Sequence, residues 1–428
     1  MRDLADRLRT IVRQNPRREL TYVPGADAAG AAEDAADRSI AEALGGQAVG
    51  NDGTCVALDH VYAGDRSYGR RPMDHWRPAP EAPLHLIDSR VAPRADWWRR
   101  VVFFDIETTG LSGGAGTLAF LAGCGWFEDE GFRVRQFFLA GPAGERAMLE
   151  ALSAELDRAS LLVTFNGRTF DVPFMEMRWA FHRASPPTGA IPHVDMLPPS
   201  RRLWRRREMP AASDGGCNLT ALERAVLDVH RTGDVPGFEI PARYFHFLRT
   251  GDRQSVEPVL EHNRRDIVSL AALMSHALWL VAEGPDACRE PNEQLALGRL
   301  YERAGERDRA RQSFERAASG VGDADVRREA LARLAASLRR DARHDDAARA
   351  WERVLAVQSR GESSALDRLA NEALAVHHEH RRRDLATARR YAEALERHAS
   401  ARLRREADHR IKRIDRKLGK KKTGLLQF

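Results

Sequence analysis

The stretch Val101-Val102-Phe103-Phe104-Asp105-Ile106-Glu107-Thr108-Thr109-Gly110 constrains this chain more than any other. Four apolar residues lead into two carboxylates one residue apart, then two hydroxyls and a glycine. A short apolar run closed by a turn signal predicts a buried strand. Residues two apart on a strand face the same side, so Asp105 and Glu107 project together. Two like charges about 4 Å apart repel by roughly 4 kcal/mol at an effective dielectric of 20. A buried pair of this kind must protonate or enclose a cation, and hard oxygen donors suit Mg²⁺ or Mn²⁺. The reading that follows is a two-metal phosphodiesterase site.

Composition sets limits around that reading. The 428 residues, 43% hydrophobic and 30% charged, are enough for two to four domains with real cores. A net charge of +6 permits a nucleic-acid partner without establishing one. Arginine supplies nearly all the positive charge and every lysine lies at or after Lys412, a bias that a GC-rich genome explains. Cys55, Cys124, Cys217 and Cys288 are scattered without a CxxC spacing, which argues against a zinc ribbon or a disulfide framework. No apolar run is long enough to predict a membrane span, and the charged start Met1-Arg2-Asp3-Leu4 lacks the apolar segment of a signal peptide. The expectation is a cytoplasmic protein with no membrane partner.

Along the chain, residues 1–48 predict a short amphipathic helix, with Leu4, Leu8, Ile11 and Val12 at helical spacing, then an Ala/Gly-rich linker. Residues 49–98 predict a small β-rich segment. The main domain, 99–285, opens with the Asp105 strand and a glycine-rich turn, Ser112 to Gly116, which lacks the GxxxxGK[ST] of a phosphate loop. Thr117–Phe127 and Phe132–Leu139 predict an antiparallel hairpin, and Leu161–Phe165 and His193–Leu197 two further strands between helices. The sum is an α/β fold around a mixed five-stranded sheet. Arg201, Arg202 and Arg205 to Arg207 flank Trp204, which suits a solvated face or a nucleic-acid track equally. Residues 256–282 predict a long helix.

From 290 to 400 the composition turns to helix formers. Leu297-Gly298-x-x-Tyr301, Gly305, Ala310-x-x-x-Phe314 and Ala317 match the tetratricopeptide signature, repeated by Leu334, Leu338, Ala347 and Trp351 and weakly by Ala388 and Tyr391. An all-α solenoid of such repeats predicts a protein partner. His377, His378 and His380 read as a solvated helix face. The tail, 401–428, is dense in Arg and Lys and reads as a solvated terminus able to hold phosphates.

Two further acids stand where the chemistry needs them. Asn166-Gly167-Arg168-Thr169-Phe170-Asp171 follows the buried 161–165 strand and enters a helix, so Asp171 taken alone is an N-cap. Asp266 lies four residues after His262 on the long helix, and the two share a face. Together the three segments resemble the DEDD 3′–5′ exonuclease superfamily with its ribonuclease H-like fold. Asp105-x-Glu107-Thr108-Thr109-Gly110 is the first motif. Asn166-x-x-x-Phe170-Asp171 is similar to the second motif of family B polymerase proofreading domains. The third, ending in Asp266, departs from YxxxD by placing His262 at the tyrosine. In layout the chain resembles the bacterial YprB-like group, with an HNxxD third motif and tetratricopeptide repeats after the nuclease domain.

The resemblance implies two Mg²⁺ or Mn²⁺ ions held by Asp105, Glu107, Asp171 and Asp266, with Asp105 bridging both. His262 is the candidate to orient or deprotonate the attacking water, because an imidazole ordinarily titrates near neutrality. Thr108, Asn166 and Phe170 are the candidate substrate-binding residues, and Asp195 reads as structural. The activity implied is 3′–5′ exonucleolysis of single-stranded DNA or RNA. The alternative is a nucleic-acid-binding adaptor whose repeats recruit a protein partner and whose nuclease fold no longer cuts.

Overall fold

The structure, a computed structural model, describes residues 40–50, 53–110, 116–129, 131–205, 217–358, 365–397 and 401–425. Residues 1–39, which carry the expected N-terminal helix and most of the linker, lie outside the described residues, as do most of the Ser112–Gly116 turn and Arg206 and Arg207. The end of the expected linker enters β-structure at Gln47.

The sheet has seven strands rather than five. In chain order the strands are β1 (Gln47–Val49), β2 (Cys55–Ala63), β3 (Ser67–Tyr68), β4 (Arg71–Pro72), β5 (Val101–Thr108), β6 (Ala119–Glu128), β7 (Gly131–Leu139), β8 (Leu161–Thr164) and β9 (His193–Asp195). The main sheet runs β1-β2-β7-β6-β5-β8-β9, with β3 and β4 forming a separate two-stranded ribbon. The five expected strands are β5 to β9. The extra pair comes from the N-terminal segment: β2 is buried at Cys55, Val56 and Leu58, opens from Asp59 onward, and pairs antiparallel with β7 from Cys55 opposite Leu139 to Ala63 opposite Gly131. That pairing covers the edge β7 would otherwise expose. β5 pairs antiparallel with β6 but parallel with β8, so the acid-bearing strand lies at the switch between the two halves.

Helices cover both faces: α1 (Glu145–Leu156), α2 (Asp171–Phe181), α3 (Leu197–Trp204), α4 (Ile240–Thr250) and α5 (Glu257–Glu283). Alternation along β5 divides the core. Val102, Phe104 and Ile106 meet α1, α2 and α4, with Met148, Leu152, Met175, Trp179, Tyr244 and Phe247. Val101 and Phe103 face α3 and the C-terminal half of α5. By length and composition α5 could cross a membrane, but it is a core helix, with its most apolar window 72% buried. Trp204 is buried at 5% exposure and stacks on His276, so it does not belong to an exposed nucleic-acid track.

The C-terminal region is helical: α6 (Pro291–Ala304), α7 (Arg307–Ser319), α8 (Ala324–Arg340), α9 (His344–Ala356), α10 (Ala365–His377), α11 (Leu385–Arg397) and α12 (Ala401–Leu425), each packed on the one before. The core of α3 and α5 continues without a break into this region through Leu297, Leu300, Tyr301 and Phe314. His377 is buried rather than solvated, and His378 stacks on Tyr391. Residues 401–425 of the basic tail form a helix rather than a solvated terminus: Ile414 is fully buried, and Glu379 accepts from Arg413 and Lys417 at 2.6 and 2.7 Å.

Candidate active site

Each acid arrives on its own support. Asp105 and Glu107 lie on β5, where a register shift between Glu107 and Thr108 marks a bulge at the strand end. The residues opposite Phe103 and Asp105 on β6 are Gly125 and Gly123, and opposed residues of an antiparallel pair share a face. With no side chains there, α5 lies directly on the strand. A Cβ at either glycine would overlap Ile267, and one at Gly123 would overlap Asn263 as well. This close approach brings His262, Asn263 and Asp266 over Asp105. Asn263 donates from Nδ2 to Asp105 Oδ2 at 2.9 Å. Gln136 in turn donates to Asn263 Oδ1 and to Leu260 O, each at 2.8 Å.

Asp171 opens α2, but the position before it makes no side-chain cap. Its carboxylate accepts instead from the Ile106 N–H of β5 at 3.3 Å, which ties the helix start to the acid-bearing strand. The loop before it turns at Asn166, whose φ of +67° is one that asparagine tolerates better than most residues. Asp195 braces that loop, accepting from the amides of Asn166, Arg168 and Leu197 at 2.8, 3.2 and 3.0 Å. Asn166 is exposed and Phe170 half-buried, stacked on Phe174. Thr108 is buried, and its hydroxyl donates to Gly110 O at 3.0 Å.

The structure therefore brings Asp105, Glu107, Asp171, Asp266 and His262 together. Burial raises the Asp105 carboxyl well above the usual range, the charges of Asp266, Asp171 and Glu107 add to it, and the Asn263 hydrogen bond eases it. Glu107 is raised in the same way by burial and by Asp266, Asp171 and Asp234. Burial pushes Asp171 up to about 7, against the pull of the backbone amides it accepts from.

His262 presents one ring nitrogen to each side. Nδ1 lies 2.7 Å from Asp234 Oδ1, while Nε2 lies 3.9 Å from Glu107 Oε1 and 3.7 Å from Asp266 Oδ2. Asp234 and Arg231 went unnoticed in the sequence, and so did Asn263, although it stands between His262 and Asp266 in the HNxxD segment. Arg231 reaches Asp266, the buried Glu223 and, at 3.1 Å, Asp234 Oδ2. Burial opposes its charge, but the carboxylates prevail and raise its pKa above the usual range.

Among the described residues no three His, Cys, Asp or Glu side chains close around one point as a ready ligand set. Arg231 engages Asp266 and Asn263 engages Asp105. The donor chemistry nonetheless fits a hard divalent cation, since four carboxylates that repel one another converge from β5, α2 and α5.

A family model described as the RNase H superfamily matches residues 102–278. Among solved structures, the family B DNA polymerase of the archaeon Pyrobaculum calidifontis aligns over 48% of this chain and 29% of its own, at 14% identity and a TM-score of 0.32. The uncharacterized protein YprB of Bacillus subtilis (strain 168) is 31% identical over 321 residues. Covering 74% of each chain, that identity makes this protein a member of the YprB family, with a domain of the RNase H superfamily built on the acid-bearing sheet.

Proposed function

We propose that the protein is a divalent-metal-dependent 3′–5′ exonuclease of the DEDD type, acting on single-stranded DNA or RNA. The observation that carries the reading is the convergence of Asp105, Glu107, Asp171 and Asp266, with the first three raised by burial and mutual repulsion. These four would hold two Mg²⁺ or Mn²⁺ ions, and Asn263 orients Asp105 among them. When bound, such ions polarise the scissile phosphate and offset the charge that develops on it. His262 Nε2 faces the same space and accepts the proton of the attacking water. Asn166 and Phe170, partly open at the rim, meet the terminal nucleotides.

The helical region reads as three tetratricopeptide repeats, α6–α7, α8–α9 and α10–α11. In support, the signature residues Leu297, Tyr301, Ala310, Phe314 and Ala317 are buried between helices. A groove of about 1030 Å³ lined by Arg328, Trp351, Leu369 and Val376 is the surface for a protein partner. The thiols of Cys124, Cys217 and Cys288 suit a reducing cytoplasm.

A second reading, a nucleic-acid-binding adaptor, draws support from Arg231, which already engages Asp266. End-labelled single-stranded oligonucleotides incubated with Mg²⁺ or Mn²⁺ decide between the two. The nuclease reading expects shortening from the 3′ end that Asp105→Ala abolishes. Binding without cleavage by the wild type favours the adaptor, and full activity in Asp105→Ala ends the carboxylate mechanism.

A further inference from the structure

The loop Arg231-Thr232-Gly233-Asp234 meets the site at two points. Asp234 Oδ1 lies 2.7 Å from His262 Nδ1. The carboxyl is held below its ordinary range: burial pushes it up, but the hydrogen bond and charge of His262 and the Arg231 guanidinium outweigh burial. An ionised carboxylate only accepts, so in the uncharged ring the contact places the single proton on Nδ1 and leaves Nε2 bare. The separations from Nε2 to Glu107 and Asp266, 3.9 and 3.7 Å, are too long for direct hydrogen bonds.

Asp234 is itself supported. The Arg231 side chain, 2% exposed, donates from Nη1 to Asp234 Oδ2 at 3.1 Å and from Nη2 to Asp266. It is anchored on Glu223 by a bidentate pair, with Nε to Oε2 at 2.7 Å. Glu223 is fully buried and accepts from Ser269, whose hydroxyl lies 2.6 Å from that of Tyr68. One guanidinium thus holds the acid that sets the histidine and a carboxylate of the cluster the histidine faces.

We propose that Asp234, carried by Arg231, is a positioning residue that fixes the tautomer and orientation of His262, so that its bare Nε2 receives a proton from the attacking nucleophile. The inference rests on the nuclease reading given above. Asp234 touches neither substrate nor metal in this scheme and acts through His262.

The direct test needs no turnover. In the full chain labelled with ¹⁵N at histidine, treated with chelator and held at pH 9, the ring shifts of His262 are assigned by their loss in His262→Ala. The expected result is a proton on Nδ1 and a bare Nε2 in the wild type, with that preference lost in Asp234→Asn. A proton on Nε2, a ring protonated at both nitrogens, or an unchanged Asp234→Asn spectrum overturns the proposal. Kinetics give the second arm. Asp234→Ala should lower kcat about 10–100-fold, with KM within about twofold. Added to His262→Ala it should cost less than about twofold more. Independent, multiplying losses overturn the proposal. If the wild type cuts nothing, or Asp105→Ala cuts as well as the wild type, the nuclease reading fails, while the tautomer measurement still decides the role of Asp234.

Discussion

Asp171 shows how a single residue ties stability to the chemistry. Its carboxyl is pushed up to about 7 in the fold from an ordinary 3.8. A folded pKa above the unfolded one means that the unfolded chain ionises first, so raising the pH from about 4 to 7 progressively destabilises the fold at this site. At about 1.4 kcal/mol per pH unit the burden reaches roughly 4 kcal/mol above pH 7. In chelator, Asp171→Asn should therefore melt well above the wild type at pH 8 and close to it at pH 4, because the amide oxygen can still accept from Ile106. An equal shift at both pH values would show that the charge is not the cause. The acids were legible in the sequence because each follows a strong local signal: an apolar strand for Asp105 and Glu107, a strand-to-helix junction for Asp171, and a helical stripe for Asp266. Asp234 has no such signal. It lies in a loop 28 positions from His262, and only the folded chain brings them together.

At the scale of elements, the site depends on how closely α5 approaches β6. Glycine inside a strand ordinarily weakens it, yet Gly123 and Gly125 are the floor on which Asn263 and Ile267 rest. Gly123→Ala should destabilise the fold by about 1–3 kcal/mol through overpacking. It should lower kcat further than Gly125→Ala, because only Gly123 underlies Asn263, the residue that holds Asp105. Melting and turnover of both variants test this, and equal activity losses would separate Asn263 from the site. The helix–strand alternation of β5 to β9 could be read from periodicity, since each strand is a short apolar run between turn signals. β2 could not be assigned to the same sheet. Its apolar start looks like that of any partly buried strand, and pairing with β7 over separations of 68 (Ala63–Gly131) to 84 (Cys55–Leu139) positions is a tertiary choice that no local pattern encodes.

For the whole molecule, α5 is the rod that joins chemistry to the helical region. Asp266 and Val281 are separated by roughly 22 Å at 1.5 Å per residue. At that far end the Val281 carbonyl accepts from Tyr301 Oη at 2.8 Å and from Arg309 Nη2 at 2.7 Å, and Arg309 also reaches Ala282 O at 2.7 Å. A cation on the last carbonyls of a helix satisfies orphan acceptors and complements the helix dipole. Arg309 also lies over the Tyr301 ring at 4.2 Å. Because apolar packing runs unbroken from Phe103 through α5 to Phe314, the sheet domain and the first helices of the C-terminal region should unfold as one unit. Calorimetry of the full chain should then show these parts melting in a single transition, and Arg309→Ala should lower that transition by about 1–2 kcal/mol. Hydrogen exchange should quicken both in the last turn of α5 and in residues 291–319. If exchange quickens in residues 291–319 while the last turn of α5 keeps its protection, the two parts are separately stable, and α5 does not link the helical region to Asp266.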